Sequence, residues 1–500
     1  MIHVLTARLL PRILGALLLG CTLIGVSLSA AAQPDLQANP APMQNPDSSV
    51  LSLDDFLRMV LQESPEVRSI RLEDDRAAAR VLEARGLFDP TFASGYEYKT
   101  QDENDKLNVL RSGLSVPFNL PFSPNLTMDY RRGLGSSIDP SVATSAFGET
   151  RVGLEVAPLV GWTTGKRGVK LEKVRLEPRR ADARQSVRRN QLLLDATRAY
   201  LTWVEAQQVL TVNRELVDVA VERQTFISRR ARIGEEAAID SVEAELIVVS
   251  REGAVAAATQ KAEQAAAKLA VFLWNPDGSP MGFDFAAPDM PVEGASPVLR
   301  RDVPAEAEAM DRALRRRPEL QEIDVKLQQT RIDERLARVG LRPDLKLEAQ
   351  AVSYDDTPMD VADVKVGIKI DQSLFFRGDR SAVDEAEIEV RQTDLERLLT
   401  ERKIEADVRS AVVGLREAQR RAEAAERRVQ LARRLQRAEE RRFDLGESTL
   451  FLLNQREQAF AEARVERIKA RVAVRHARAD LQWATGAIAD PYLTTLPGSP

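Results

Sequence analysis

The chain has 500 residues, 44 % apolar and 29 % charged, a globular rather than disordered balance, yet only 5 % are aromatic. A formal charge of −5 supplies no global basic field for nucleic acid. Cys21 is the only cysteine, and His3 and His476 are the only histidines, which excludes a disulfide framework, a Cys/His zinc site and a Cys–His nucleophile pair, and with them most enzyme classes.

Arg8 and Arg12 precede an apolar run over 13–28, which exits through Ser29 and three alanines to Gln33 and Pro34. This is the pattern of a secretory signal peptide over 1–32, cleaved after Ala32. The run is short for a membrane span of about 20 residues. Leu18-Leu19-Gly20-Cys21 also resembles a lipoprotein processing box, so lipidation of Cys21 is a second reading of the segment. Residues 33–50, rich in Pro and Asn, read as a flexible leader. No later run reaches about 18 consecutive apolar residues, and no transmembrane helix is expected.

From there the chain repeats itself. Pro65-Glu66 and Pro318-Glu319 lie 253 positions apart, as do Pro90 and Pro343. Further on, Glu205-Ala206-Gln207 recurs as Glu417-Ala418-Gln419, and Gly234-Glu235 as Gly446-Glu447, at an offset of 212. Ordered matches at constant offset indicate a tandem duplication, with 41 extra residues between Pro90 and about residue 165. The expected organisation is a first repeat over 51–274, with strands in about 91–157 and a helical hairpin over about 169–274. A linker follows over 275–304. The second repeat covers 305–486, with strands in about 345–370 and a hairpin over about 381–483, before a C-terminal tail, 487–500.

Ile404, Val408, Ala411, Leu415, Ala418, Ala422, Ala425, Val429 and Ala432 keep an unbroken 4–3 spacing, a coiled-coil seam. Shifted by 212, the seam recurs from Leu192 to Ala220, interrupted only by Asn213. Helices over 169–233 and 381–445 would each be about 95 Å long, a rod or tube rather than a compact domain. Gly234 and Gly446 mark tight turns into returning helices.

Leu345, Leu347, Ala349 and Ala351 alternate with Lys346, Glu348 and Gln350, and Val364, Val366, Ile368 and Ile370 alternate with Lys365, Gly367 and Lys369. Segments of this length fit membrane-spanning strands as well as a half-buried sheet. The first half offers four more, near 91–99, 107–116, 125–131 and 150–157. So few strands cannot close a membrane barrel alone, since about eight are the minimum. The barrel must be shared between chains.

Leu51-Ser52-Leu53-Asp54-Asp55, the repeated Pro-Glu, and the turns Arg230-Ala231-Arg232-Ile233-Gly234 and Arg442-Phe443-Asp444-Leu445-Gly446 together resemble the TolC-like outer membrane efflux protein family, the outer membrane factors. The resemblance covers nearly all of 51–486. It implies a mainly α fold with membrane β: tandem-duplicated helix–strands–long hairpin units, assembled as a homotrimer into a transmembrane β-barrel continued by a periplasmic α-helical barrel. It implies a passive duct set in outer-membrane lipid, working with a periplasmic adaptor and an inner-membrane pump of the RND, ABC or a similar class, with no cofactor, no metal and no nucleic-acid partner. Two strands per half give about 12 per trimer and six per chain about 18. The smaller count is expected, with the extra hairpin at the rim.

The resemblance also places a periplasmic gate at the hairpin turns. Acidic residues are implied six and nine positions after the second turn glycine, but here those are Leu452 and Gln455, whereas Asp240 and Glu243 hold the matching places after Gly234. A tyrosine hydroxyl is implied where this chain has Phe443. Arg441 or Arg442 is then the expected partner of Asp240, and Phe451 and Leu452 an apolar plug. The rival readings are a periplasmic adaptor, which needs only one hairpin, and an exported hydrolase, for which no catalytic constellation is found. Trp162, Trp274 and Trp483 suit either a membrane interface or packing at helix ends.

Overall fold

The structure is a computed structural model and describes residues 50–101, 104–133, 144–159, 165–235, 237–282, 305–354 and 363–495. The expected signal peptide, Cys21, Trp162 and nearly all of the leader lie outside them. Ser52 accepts a hydrogen bond from the Asp55 amide at 3.2 Å and caps α1, Leu53–Glu63, which buries Leu53, Phe56, Leu57, Val60 and Leu61 on one stripe. Ser64 caps α2, Pro65–Gly86, whose leading proline needs no amide partner. Strands β1 (Thr91–Gln101), β2 (Asn104–Pro117), β3 (Asn125–Gly133) and β4 (Glu149–Val156) follow, then α3 (Lys166–Val174), α4 (Glu177–Arg232) and α5 (Ala238–Ala270). The second half runs α6 (Glu306–Arg316), α7 (Pro318–Gly340), β5 (Asp344–Ser353), β6 (Asp363–Asp371), α8 (Arg377–Asp444) and α9 (Leu450–Ala484), and ends in a 3-10 turn, Asp490–Thr495. Among the described residues no helix is long and apolar enough to cross a membrane.

The duplication is visible in the element boundaries. α1 and α6 begin 253 positions apart, and so do β1 and β5; α4 and α8 end 212 apart, and α5 and α9 begin 212 apart. The offset changes across β2 and β3, which are therefore the insertion. One expectation from the sequence needs correction here. The first long helix, read as continuous from residue 169, is divided into α3 and α4, because Pro178 has no amide to bond the Val174 carbonyl and its ring crowds that oxygen. α8 has no such proline and runs unbroken for 68 residues, about 100 Å.

Each repeat has its own core, built where its short helices lie against its long one. In the first, Phe56 stacks on Tyr200 at 5.6 Å, Trp203 meets Tyr200 edge-on at 5.8 Å, and the Tyr200 hydroxyl donates to the Leu51 carbonyl at 2.7 Å. Ile488 and Tyr492 are buried in the same core, so the C-terminal segment is packed at least as far as Tyr492, whose hydroxyl donates to Asp54 at 2.9 Å. The second core gathers Ala309, Leu320, Ile404, Val408, Leu415 and Leu481. Trp483 lies against both, with the Arg317 guanidinium 4.1 Å over its ring. Trp274 likewise packs at a helix end, donating from Nε1 to the Val271 carbonyl at 2.8 Å.

The six strands form one antiparallel sheet in sequence order, β1 to β6. Its register aligns Phe92, Leu114, Met128, Val152, Ala351 and Val364 along one face, which Val366 shares. The other face carries Glu97, Arg111, Asp129, Arg131, Glu149, Arg151, Lys346 and Lys369. The apolar face is the open one: Val366 is 73 % exposed and Leu154 46 %, while Glu149 and Gln350 on the polar face are buried. An added Cβ at Gly153, on the polar face, would come within 2.6 Å of Gln350, so that face is crowded there. Where a hairpin at the rim was expected, the inserted strands lie inside the sheet of the chain. β2 and β3 pair on both sides, Thr91↔Ser115 and Asn125↔Glu155 among the partners, because their alternation matches that of their neighbours.

His476, on α9, is half-buried among Arg198 and Asp480, and burial holds its imidazole below the ordinary value despite Asp480. The unfolded chain takes up this proton as pH falls through about 6.5 and the folded chain only at lower pH, so folding loses stability on acidification across that window. His476→Gln should reduce the fall in melting temperature between pH 7.5 and pH 5.5, measured by circular dichroism.

Candidate functional site at the hairpin tips

Both long helices end in the same turn. The Glu235 amide donates to the Arg230 carbonyl at 2.9 Å, and the Glu447 amide to the Arg442 carbonyl at 2.8 Å. Gly234 (φ 81°) and Gly446 (φ 75°) supply the left-handed residue that this cap requires. The returning helices differ. Thr449 caps α9 by accepting from the Leu452 amide at 3.4 Å, whereas Ala237 gives α5 no side-chain cap, leaving Asp240 in its first turn to oppose the helix dipole.

Asp240 and Glu243 lie half-buried on α5 near the first turn, and Arg441, Leu452 and Gln455 are exposed beside the second. The chain does not bring Asp240 to either arginine. Arg442 instead pairs with Glu439 at 3.5 Å and donates to the Glu447 carbonyl at 3.3 Å, and among the described residues no ion pair joins Asp240 to Arg441 or Arg442. Phe443 packs on Ile227, Ala244 and Leu450, so its ring joins the two hairpins by apolar contact where a hydroxyl was implied. Ile239, Leu445 and Phe451 are 69 %, 74 % and 62 % exposed, large apolar surfaces at the end of the molecule.

Among the described residues, the most buried ion pairs between the hairpins lie further from the turns. Glu457 on α9, with its side chain 5 % exposed, pairs with Arg223 of α4 at 2.5 Å and with Arg251 of α5 at 3.3 Å. Arg251 also donates to Asn454 Oδ1 at 2.6 Å and to the Leu216 carbonyl at 3.0 Å. One carboxylate thus holds two largely buried guanidiniums, a geometry in which loss of the acid leaves two like charges facing each other. The sequence carried a signal for it: in the α9 seam Leu450, Leu453, Glu457, Ala461, Glu457 stands at an apolar position. Among the described residues no cluster of His, Cys, Asp and Glu is suited to a metal ion.

The geometry agrees with comparison to known proteins. Residues 309–487 match the family model described as Outer membrane efflux protein. No curated relative matches the sequence. Among solved structures, the outer-membrane channel OprN aligns at 16 % identity over 87 % of this chain and 90 % of its own, with a TM-score of 0.65. The Campylobacter jejuni CmeC outer membrane channel aligns at 15 % over 87 % and 85 %, TM-score 0.61. The open state of the Neisseria gonorrhoeae MtrE outer membrane channel aligns at 16 % over 87 % and 88 %, TM-score 0.61. The fold is that of the TolC-like outer-membrane channels. Within it, the second repeat is an outer membrane efflux protein domain, and the adaptor reading falls away.

Added Cβ atoms would meet nothing within 4 Å at Gly446 or at Gly414, so backbone conformation alone separates the two. Gly446→Ala should cost about 1 kcal/mol, and Gly414→Ala, inside α8, should gain about 0.5–1 kcal/mol. Shifts of opposite sign in the unfolding midpoint check this.

Proposed function

We propose that the protein is the outer-membrane channel of a tripartite efflux or type I secretion system. Three copies form a passive duct, with the sheet in the outer membrane and the helical hairpins in the periplasm. The observation that carries this reading is the sheet's reversed faces, one apolar and open, the other charged and buried around Glu149 and Gln350, joined directly to hairpins about 100 Å long. A sheet of this polarity is stable only around water and within lipid. The periplasmic end would dock on an adaptor and its inner-membrane pump, which deliver the cargo. Mass measurement of the detergent-extracted protein tests the assembly: a trimer is expected, and a monomer of full helical content would overturn the channel.

The hairpin tips serve as its gate. Around the three-fold axis Phe451 and Leu452 crowd into an apolar plug that stops ions by dewetting. Asp240, Glu243, Arg441 and Gln455 surround it with charge and amide groups. Opening requires the first hairpin to move off α9, and the Arg223–Glu457–Arg251 contact resists that movement. Glu457→Gln removes the counter-charge from two buried guanidiniums, a loss of about 3–5 kcal/mol, and should raise single-channel conductance in planar bilayers. Phe451→Ser with Leu452→Ser should make the closed state leaky. Unchanged conductance in both variants, with trimers intact, would place the gate elsewhere.

A further inference from the structure

The inserted hairpin alters the barrel itself. β2 and β3 lie inside the sheet and add Leu110, Leu114, Leu126 and Met128 to its open apolar face. Strand direction alternates across all six strands, so the two edge strands, β1 and β6, run opposite ways. β6 of one copy therefore meets β1 of the next as an antiparallel pair, like every other junction in the sheet. The outward rows also continue across that junction. Val364, Val366, Ile368 and Ile370 on β6 are 65–73 % exposed, and Phe92, Tyr96 and Tyr98 on β1 are 51–71 % exposed. Such edges are templates for pairing, and closure satisfies them.

We propose that three copies close an eighteen-stranded barrel, with all six strands of each chain in the wall, wider than the twelve strands that two per repeat would give. The proposal rests on the trimeric channel described above. Strands about 4.8 Å apart and tilted about 40° give eighteen of them a perimeter of about 110 Å, against about 75 Å for twelve. In each copy four helices, α2, α3, α7 and α8, adjoin the strands, and twelve helices about 9 Å apart span about 110 Å. The wider barrel continues the helical tube without a constriction at the join. Several of its lumenal charges are paired: Arg111 with Glu97 at 3.3 Å, Arg131 and Arg151 with Glu149 at 2.9 and 2.5 Å, and Lys346 with Glu155 at 3.3 Å. A wide mouth with compensated charges passes hydrated solutes of either sign, and sorting falls to the hairpin tips.

Nitroxide labels on single cysteines test the strand count in the full-length protein in lipid vesicles. Val152→Cys lies on β4, a wall strand under either count, and Met128→Cys lies on β3. Leu126→Cys reports on the same strand if Met128→Cys does not assemble. For eighteen strands, the distance between Val152 labels on neighbouring copies should be about 10 Å longer than a twelve-stranded barrel gives. The Met128 label should then match the Val152 label in accessibility to lipid-dissolved oxygen. A Val152 distance in the twelve-strand range, with the Met128 label open to a water-soluble relaxation agent, would overturn the proposal. Monomers without any inter-copy distance would overturn the channel reading beneath it, and the strand count with it.

Discussion

Every backbone amide and carbonyl of a strand in hydrocarbon must find its partner in another strand, because lipid offers none. That constraint governs the whole molecule. The open face of the sheet carries Phe92, Leu114, Met128, Val152 and Val366, side chains a water-soluble sheet would turn inward, while Glu149 and Arg151 sit on the opposite face. A sheet of this polarity cannot rest as an open ribbon. Its two edge strands, β1 and β6, each leave a row of backbone groups to be paired.

The helical part solves a different problem. α4, α5, α8 and α9 are too long to share one globular core, so apolar burial concentrates where α1, α2, α6 and α7 pack against them. Toward the tips the contacts thin to small clusters such as Ile227, Ala244 and Leu450. Regions with few buried apolar contacts open most readily, so the cores hold the long helices together and leave their far ends the first to open. Glu457, between Arg223 and Arg251, restores specific adhesion between the hairpins where apolar packing is sparse.

The insertion shows how a duplicated fold changes without losing its plan. Removing or adding one β-hairpin keeps strand direction alternating, so it leaves the descent of the chain from β4 and β6 into the helices undisturbed. The turn between β2 and β3 has its own bonds, with the Phe118 amide donating to the Pro124 carbonyl at 2.9 Å and the Ala157 amide to the Phe122 carbonyl at 2.8 Å, which tie it to the end of β4. The extra strands are thus anchored at the level where sheet gives way to helix.

The sequence by itself determined the repeats, the seams of both long helices, the turn glycines and the alternation of each strand, because these are periodicities and local backbone demands written residue by residue. It also located the tips to within a turn. Only the tertiary structure decided the rest. Whether a hairpin lies in a sheet or at its rim depends on long-range hydrogen bonds, and alternation in β2 and β3 reads alike in both places. The break between α3 and α4 rests on Pro178, a single residue ahead of the seam that begins at Leu192. The pairing of Glu457 with two arginines from another hairpin joins residues more than 200 positions apart. No local pattern specifies such a contact; it exists because the folded hairpins bring three helices to one level.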